Sequence, residues 1–117
     1  MFEVKILENP INIEELKKIA SDGFGDMVKA VVDVEKGNMA IGGELHVDME
    51  VVLMEEREAL RNNTWGINLY PNKTGEEFLE FDSMVNLKPA YGNRTRNVED
   101  VKIQEKIKEI VKKFISK

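Results

Sequence analysis

Few side chains in this sequence can do chemistry. There is no cysteine, and His46 is the only histidine. Disulfides, thiolate catalysis, iron-sulfur clusters and cysteine zinc sites are therefore excluded together, and one chain cannot build a multi-histidine metal site. Any catalysis must use carboxylates, arginines, lysines or that one imidazole. Glu44, His46 and Asp48 form an E-x-H-x-D string that a strand would present on one surface. Alternate strand residues stand about 6.6 Å apart, so the outer two would lie about 13 Å apart and could not share an ion. No metal or cofactor is assigned. His46, Asp82 and Glu44 remain as acid–base candidates, with Glu80 beside Asp82 as a second carboxylate.

The sharpest local feature is Gly92-Asn93-Arg94-Thr95-Arg96-Asn97, just before the last helical pattern. Two guanidiniums, a glycine and a helix N-terminus with unpaired N–H groups suit a phosphate or carboxylate. Arg94, Arg96, Asn93 and Asn68 are the candidate ligand-binding residues. Arg94 and Arg96 could equally pair with Asp82, Glu99 or Asp100 and pin the loop. Neither G-x-x-x-x-G-K-[ST] nor G-x-G-x-x-G occurs, so familiar nucleotide binding has no support.

These residues need a scaffold, and 117 residues at 42% apolar and 33% charged suit one soluble domain over residues 1–117. No apolar run reaches the roughly 18 residues of a membrane span, and Met1 to Asn9 mixes charged with apolar residues, unlike a secretory signal. The expectation is a cytoplasmic protein with no membrane partner. The net charge of −5 hides an asymmetry: residues 1–87 carry 8 basic and 18 acidic side chains, residues 88–117 carry 9 and 4. A body this acidic argues against nucleic acid as a partner, although Lys88, Tyr91 and the two arginines are the right residue types.

Apolar alternation predicts strands at 2–7, 27–35, 38–47, 65–70 and 77–88, the last bent near Ser83. Helical spacing predicts helices over 13–22, 48–60 and from about 99 onward, with Asn12 and Asp48 as caps of the first two. A Lys36-Gly37 hairpin would pair Glu35 with Asn38, set Val32 against Ile41 and Val28 against Leu45, and on the other surface set Lys29 against Glu44 and Met27 against His46. The predicted fold is α+β: a two-layer sandwich of a mixed, mostly antiparallel five-stranded sheet with three helices on one face, in the order β-α-β-β-α-β-β-α. The other face is then open, displaying Lys29, Glu44, His46, Asn68, Tyr70, Glu80 and Asp82, with a notch beside Gly66.

The strings Gly42-Gly43-Glu44-Leu45-His46, Trp65-Gly66-Ile67-Asn68-Leu69-Tyr70-Pro71, Glu80-Phe81-Asp82-Ser83-Met84 and Gly92-Asn93-Arg94-Thr95-Arg96 together resemble a domain-of-unknown-function family of small bacterial and archaeal proteins. The resemblance runs from about residue 4 to residue 115. It implies a helix after Asp48 and carries no activity or site residues with it. The expectation is a small binding protein or small enzyme that takes an anionic small molecule at the Gly92–Arg96 loop and the start of the last helix, with binding favoured over catalysis. The alternative is a non-enzymatic interaction module whose open face pairs with itself, as a homodimer, or with another protein, using Tyr70, Phe78 and Met84 as anchors.

Overall fold

The computed structural model describes residues 1–117. Its elements are β1 (Lys5–Ile6), β2 (Ile11–Asn12), α1 (Ile13–Asp22), β3 (Val28–Asp33), β4 (Asn38–Ile41), α2 (His46–Arg57), β5 (Thr64–Leu69), β6 (Leu79–Glu80), α3 (Val101–Phe114) and β7 (Ile115–Ser116). The α+β class, five-stranded sheet and three helices follow the sequence pattern. The sheet order is β1-β4-β3-β5-β6, antiparallel throughout, and a separate parallel pair joins β2 to β7.

Local chemistry explains most boundaries. Asn12 caps α1 through a capping box: its side chain accepts from the Glu15 N–H at 2.8 Å, and the Glu15 carboxylate accepts from the Asn12 N–H at 3.3 Å. The β3–β4 hairpin turns earlier than a Lys36-Gly37 loop would. Asp33 Oδ1 accepts from the N–H groups of Glu35 and Lys36 at 3.0 and 3.2 Å, which sets a longer turn over Val34 to Gly37 and pairs Asp33 with Asn38. Val32 therefore faces Met39 and Ala30 faces Ile41. The shift is two residues, so every side chain keeps its predicted face.

The strand over 38–47 is cut short. Gly42 has φ +92, and a Cβ there would lie 2.4 Å from the Glu3 carbonyl oxygen, so β4 ends at Ile41. The predicted pairs of Val28 with Leu45, Lys29 with Glu44 and Met27 with His46 do not form. α2 starts at His46 with Leu45 at its N-cap, and Asp48 lies in the first turn instead of capping it.

The arrangement of the helices departs from a two-layer sandwich. α1 and α3 cover one face through Leu16, Ala20, Ile107, Val111 and Phe114, against Val28, Ala30, Val32, Met39, Ile41, Trp65, Ile67 and Leu69. α2 covers the other face, where Met49 and Leu53 pack on Val31 and Ala40. Strand order supplies the reason. The connections β1→α1→β3 and β4→α2→β5 each join parallel strands and step two places in the same direction across the sheet, but the first pair runs opposite to the second. A right-handed crossover then requires the two helices on opposite faces.

Candidate functional site

The second face is finished by residues 81–98. The expected strand over 77–88 survives only as Leu79–Glu80, paired with β5 at Leu69 and Asn68. Beyond it, the edge of β5 is met by a side chain. The carboxamide of Asn86 accepts from the Gly66 N–H at 2.8 Å and donates to the Gly66 carbonyl at 3.0 Å, acting as a strand's peptide group would. It also donates to the Arg96 carbonyl at 2.9 Å, and the Ser83 N–H reaches the same oxygen at 3.1 Å. The notch expected beside Gly66 is filled by Ser83 and Val85.

The glycine–arginine loop is built as a clamp. Asn93 is buried, and its Nδ2 donates to the carbonyls of Asn86, Thr95 and Asn97 while its Oδ1 accepts from the Glu99 N–H at 2.9 Å. Glu99 accepts from the Arg94 N–H at 2.7 Å and the Thr95 hydroxyl at 3.0 Å. Those contacts, the Arg94 N–H first, hold its carboxyl below the ordinary range. Asp100 caps α3 by accepting from the Lys102 N–H at 2.8 Å. The Lys102 N–H at the start of α3 and the Arg94 N–H of the loop are thus engaged by the chain's own acids.

A cleft of about 520 Å³ opens instead between the start of α2, the second face and residues 80–96. Leu45, His46 and Val47 bring the N-terminus of α2 to it, which has no side-chain cap. β3 contributes Lys29, β5 contributes Asn68, and Tyr70, Glu80, Asp82 and Arg96 line the remainder with Met84. Arg96 Nε is 2.7 Å from Asp82 Oδ1. Glu80 Oε1 accepts from Asn68 Nδ2 and the Tyr70 hydroxyl, each at 2.9 Å, and Asn68 Nδ2 also donates to the Asp82 carbonyl at 3.1 Å. Burial first, then the hydrogen bond to Glu80, pushes the Tyr70 hydroxyl up to about 12, so it remains a donor. Asn68 is 6% exposed and its Oδ1 has no hydrogen-bond partner.

A family model described as a protein of unknown function (DUF5674) matches residues 5–114. The chain belongs to the DUF5674 family. No curated protein and no solved structure matches it.

In this DUF5674 protein the candidates from the sequence separate. His46, Asp82, Asn68 and Arg96 meet at the cleft, while Glu44, Asn93 and Arg94 are not among its lining residues. Glu44 is exposed, and Arg94 engages Glu99 only through its backbone N–H. The E-x-H-x-D string falls at the start of a helix, which turns its three side chains apart. No group of three His, Asp or Glu side chains is placed to hold a metal ion, and no helix is long and apolar enough to cross a membrane. The face expected to be open is covered, and Phe78, one of the expected anchors, is buried in the main core. Two features escaped the sequence reading: the edge-completing role of Asn86 and the uncapped N-terminus of α2. The apolar Leu45 two residues after Gly43 was the available signal for the second.

His46 links the cleft to the sheet. Its Nε2 lies 2.9 Å from the Ile67 carbonyl oxygen, an acceptor only, so Nε2 carries the proton and Nδ1 of the neutral ring is an acceptor. Burial is the main cause that lowers its pKa below 6.5; the Ile67 carbonyl opposes this, the Lys29 charge adds to it, and Asn68 and Asp82 oppose it. The unfolded chain therefore takes up this proton first as pH falls below 6.5. Its contribution to stability is complete above that pH and declines as pH falls toward the folded value. Thermal unfolding of wild type should lose midpoint as pH falls below 6.5 more steeply than unfolding of His46→Gln. Parallel pH profiles would refute the assignment.

Proposed function

We propose that the protein binds a small metabolite bearing a carboxylate or phosphate in the cleft at the start of α2. The observation that carries this reading is a convergence: the uncapped helix N-terminus, Lys29, Arg96 and Asn68 border one cavity. Helix N–H groups and cations favour an anion. The ligand class is therefore a small carboxylate or phosphate. The Arg96–Asp82 pair is half-exposed, at 55% and 43% of the side-chain surfaces, so breaking or sharing it costs little. The reading moves the anion from the start of α3 to the start of α2 and keeps Arg96 as a ligand residue without Arg94.

Thermal-shift measurements with inorganic phosphate, hydroxycarboxylates, amino acids and sugar phosphates test it. At least one should raise the unfolding midpoint in a saturable way. Arg96→Ala and Lys29→Ala should each weaken that ligand about tenfold, the loss of one charge-assisted contact, and Arg94→Ala should leave it unchanged. An equal loss from Arg94→Ala, or no response from any compound, would overturn the proposal.

A further inference from the structure

On the other side of the molecule, a larger groove of about 1,020 Å³ lies between α3, β7 and the segment 75–81. Its floor is apolar: the half-buried Leu79 and Phe81 are its accessible apolar side chains, and the buried Phe78, Val111 and Ile115 lie beneath them. Its rim is basic. Lys108, Lys112, Lys113 and Lys117 border it against a single acid, Glu76. Only Lys108 has a carboxylate partner, Glu105 at 3.9 Å, while Lys117 Nζ sits 3.6 Å from the centre of the Phe78 ring. The charge asymmetry of the sequence is thus gathered around an apolar trough, on a chain whose first 87 residues are strongly acidic.

We infer that this groove binds a single-chain amphiphile with a carboxylate head, a fatty-acid-like molecule whose tail lies over Leu79 and Phe81, above the buried Phe78, Val111 and Ile115. The cavity is at the upper end of the roughly 300–1,000 Å³ typical of small-ligand sites, which fits a long tail better than a compact metabolite. The stems of Lys108, Lys112 and Lys113 can wall such a trough while their ammonium groups stay in water at its rim, and Lys117, whose ammonium stacks on Phe78, adds a fourth cation for a carboxylate head. The chemistry favours a monoanion over a phosphate. Lys112 and Lys113 occupy the last turn of α3, where the helix dipole is negative, and no arginine fork borders the groove.

The test is titration of the full chain with octanoate, decanoate and dodecanoate below their micellar concentrations, read by calorimetry and by methyl NMR of Val111 and Ile115. Affinity should tighten about fourfold per added methylene. The Val111 and Ile115 methyl signals should shift, and dodecyltrimethylammonium should bind at least tenfold more weakly. Lys112→Gln with Lys113→Gln, both at exposed positions, should weaken dodecanoate about tenfold while lowering the unfolding midpoint only by the small loss of two favourable helix-dipole contacts. Affinity independent of chain length, equal binding of the cationic amphiphile, tighter binding of dodecyl phosphate, or shifts confined to the α2 cleft would each overturn the inference.

Discussion

Asn86→Ala should destabilise the protein by about 4 kcal/mol, far more than a routine surface substitution. The carboxamide is fully buried and makes three hydrogen bonds, two with Gly66 and one with the Arg96 carbonyl. Truncation strands the Gly66 N–H and carbonyl where no strand covers the edge of β5, and leaves the Arg96 carbonyl with the Ser83 N–H alone. Each buried unpaired group costs about 1–3 kcal/mol, and the vacated volume adds a cavity term. Asn86→Asp is the informative companion, because a carboxylate can still accept from the Gly66 N–H but donates to neither carbonyl. It should be at least as destabilising as alanine. Urea unfolding measures both, and a loss below about 1 kcal/mol for Asn86→Ala, the size of a routine surface change, would show that the edge closes without the side chain.

Gly66→Ala should cost about 2–3 kcal/mol and also disturb ligand binding, because the added methyl falls where the cleft wall is anchored. A Cβ there would lie 2.5 Å from Ser83 Cβ and Oγ and 2.9 Å from Val85 Cγ2. Residues 83–86 must then lift from β5, which strains the Asn86 bonds and displaces the neighbouring Asp82 and Met84 of the cleft. The double variant with Ser83→Gly removes the closest clash, so a double-mutant cycle should return about 1 kcal/mol or more of favourable coupling. Additive losses would place the strain elsewhere. Ser83→Gly has its own cost, since the Ser83 hydroxyl accepts from the Val85 N–H at 3.2 Å, and the cycle separates the two.

Both substitutions act on the segment the sequence misrepresents most. Leu79, Phe81, Ser83, Val85 and Leu87 alternate as a strand does, yet only Leu79–Glu80 pairs. Alternation records that one side of the chain is buried, and a segment crossing over Gly66 buries one side as well. The same ambiguity affects residues 45–53, where alternating apolar residues fit a strand until Gly42 ends β4 and α2 begins. α1 and α3 carry no such ambiguity, because each has one apolar stripe, and for α1 a capping box marks the start.

The site divides in a similar way. Asn68 was legible as a polar residue on the face away from the main core, because alternation along β5 fixes its side, whereas His46 and Asp82 reach the same cleft from a helix start and a loop and not from the strands expected. That Arg96 joins them and Arg94 does not was beyond reach, because it depends on which loop carbonyls Asn86 and Asn93 hold.

The sequence by itself determined the α+β class, the core-facing residues of β3, β4 and β5, the helices over 13–22 and 101–114, and the gathering of basic charge around α3. These follow from side-chain periodicity and local capping, which neighbouring residues dictate. The tertiary structure alone decided that α1 and α2 lie on opposite faces, that the second face is roofed, and that a cleft forms at the start of α2. Those outcomes depend on the direction of each strand in the sheet and on a right-handed crossover between parallel strands. Neither is written in any short stretch of chain.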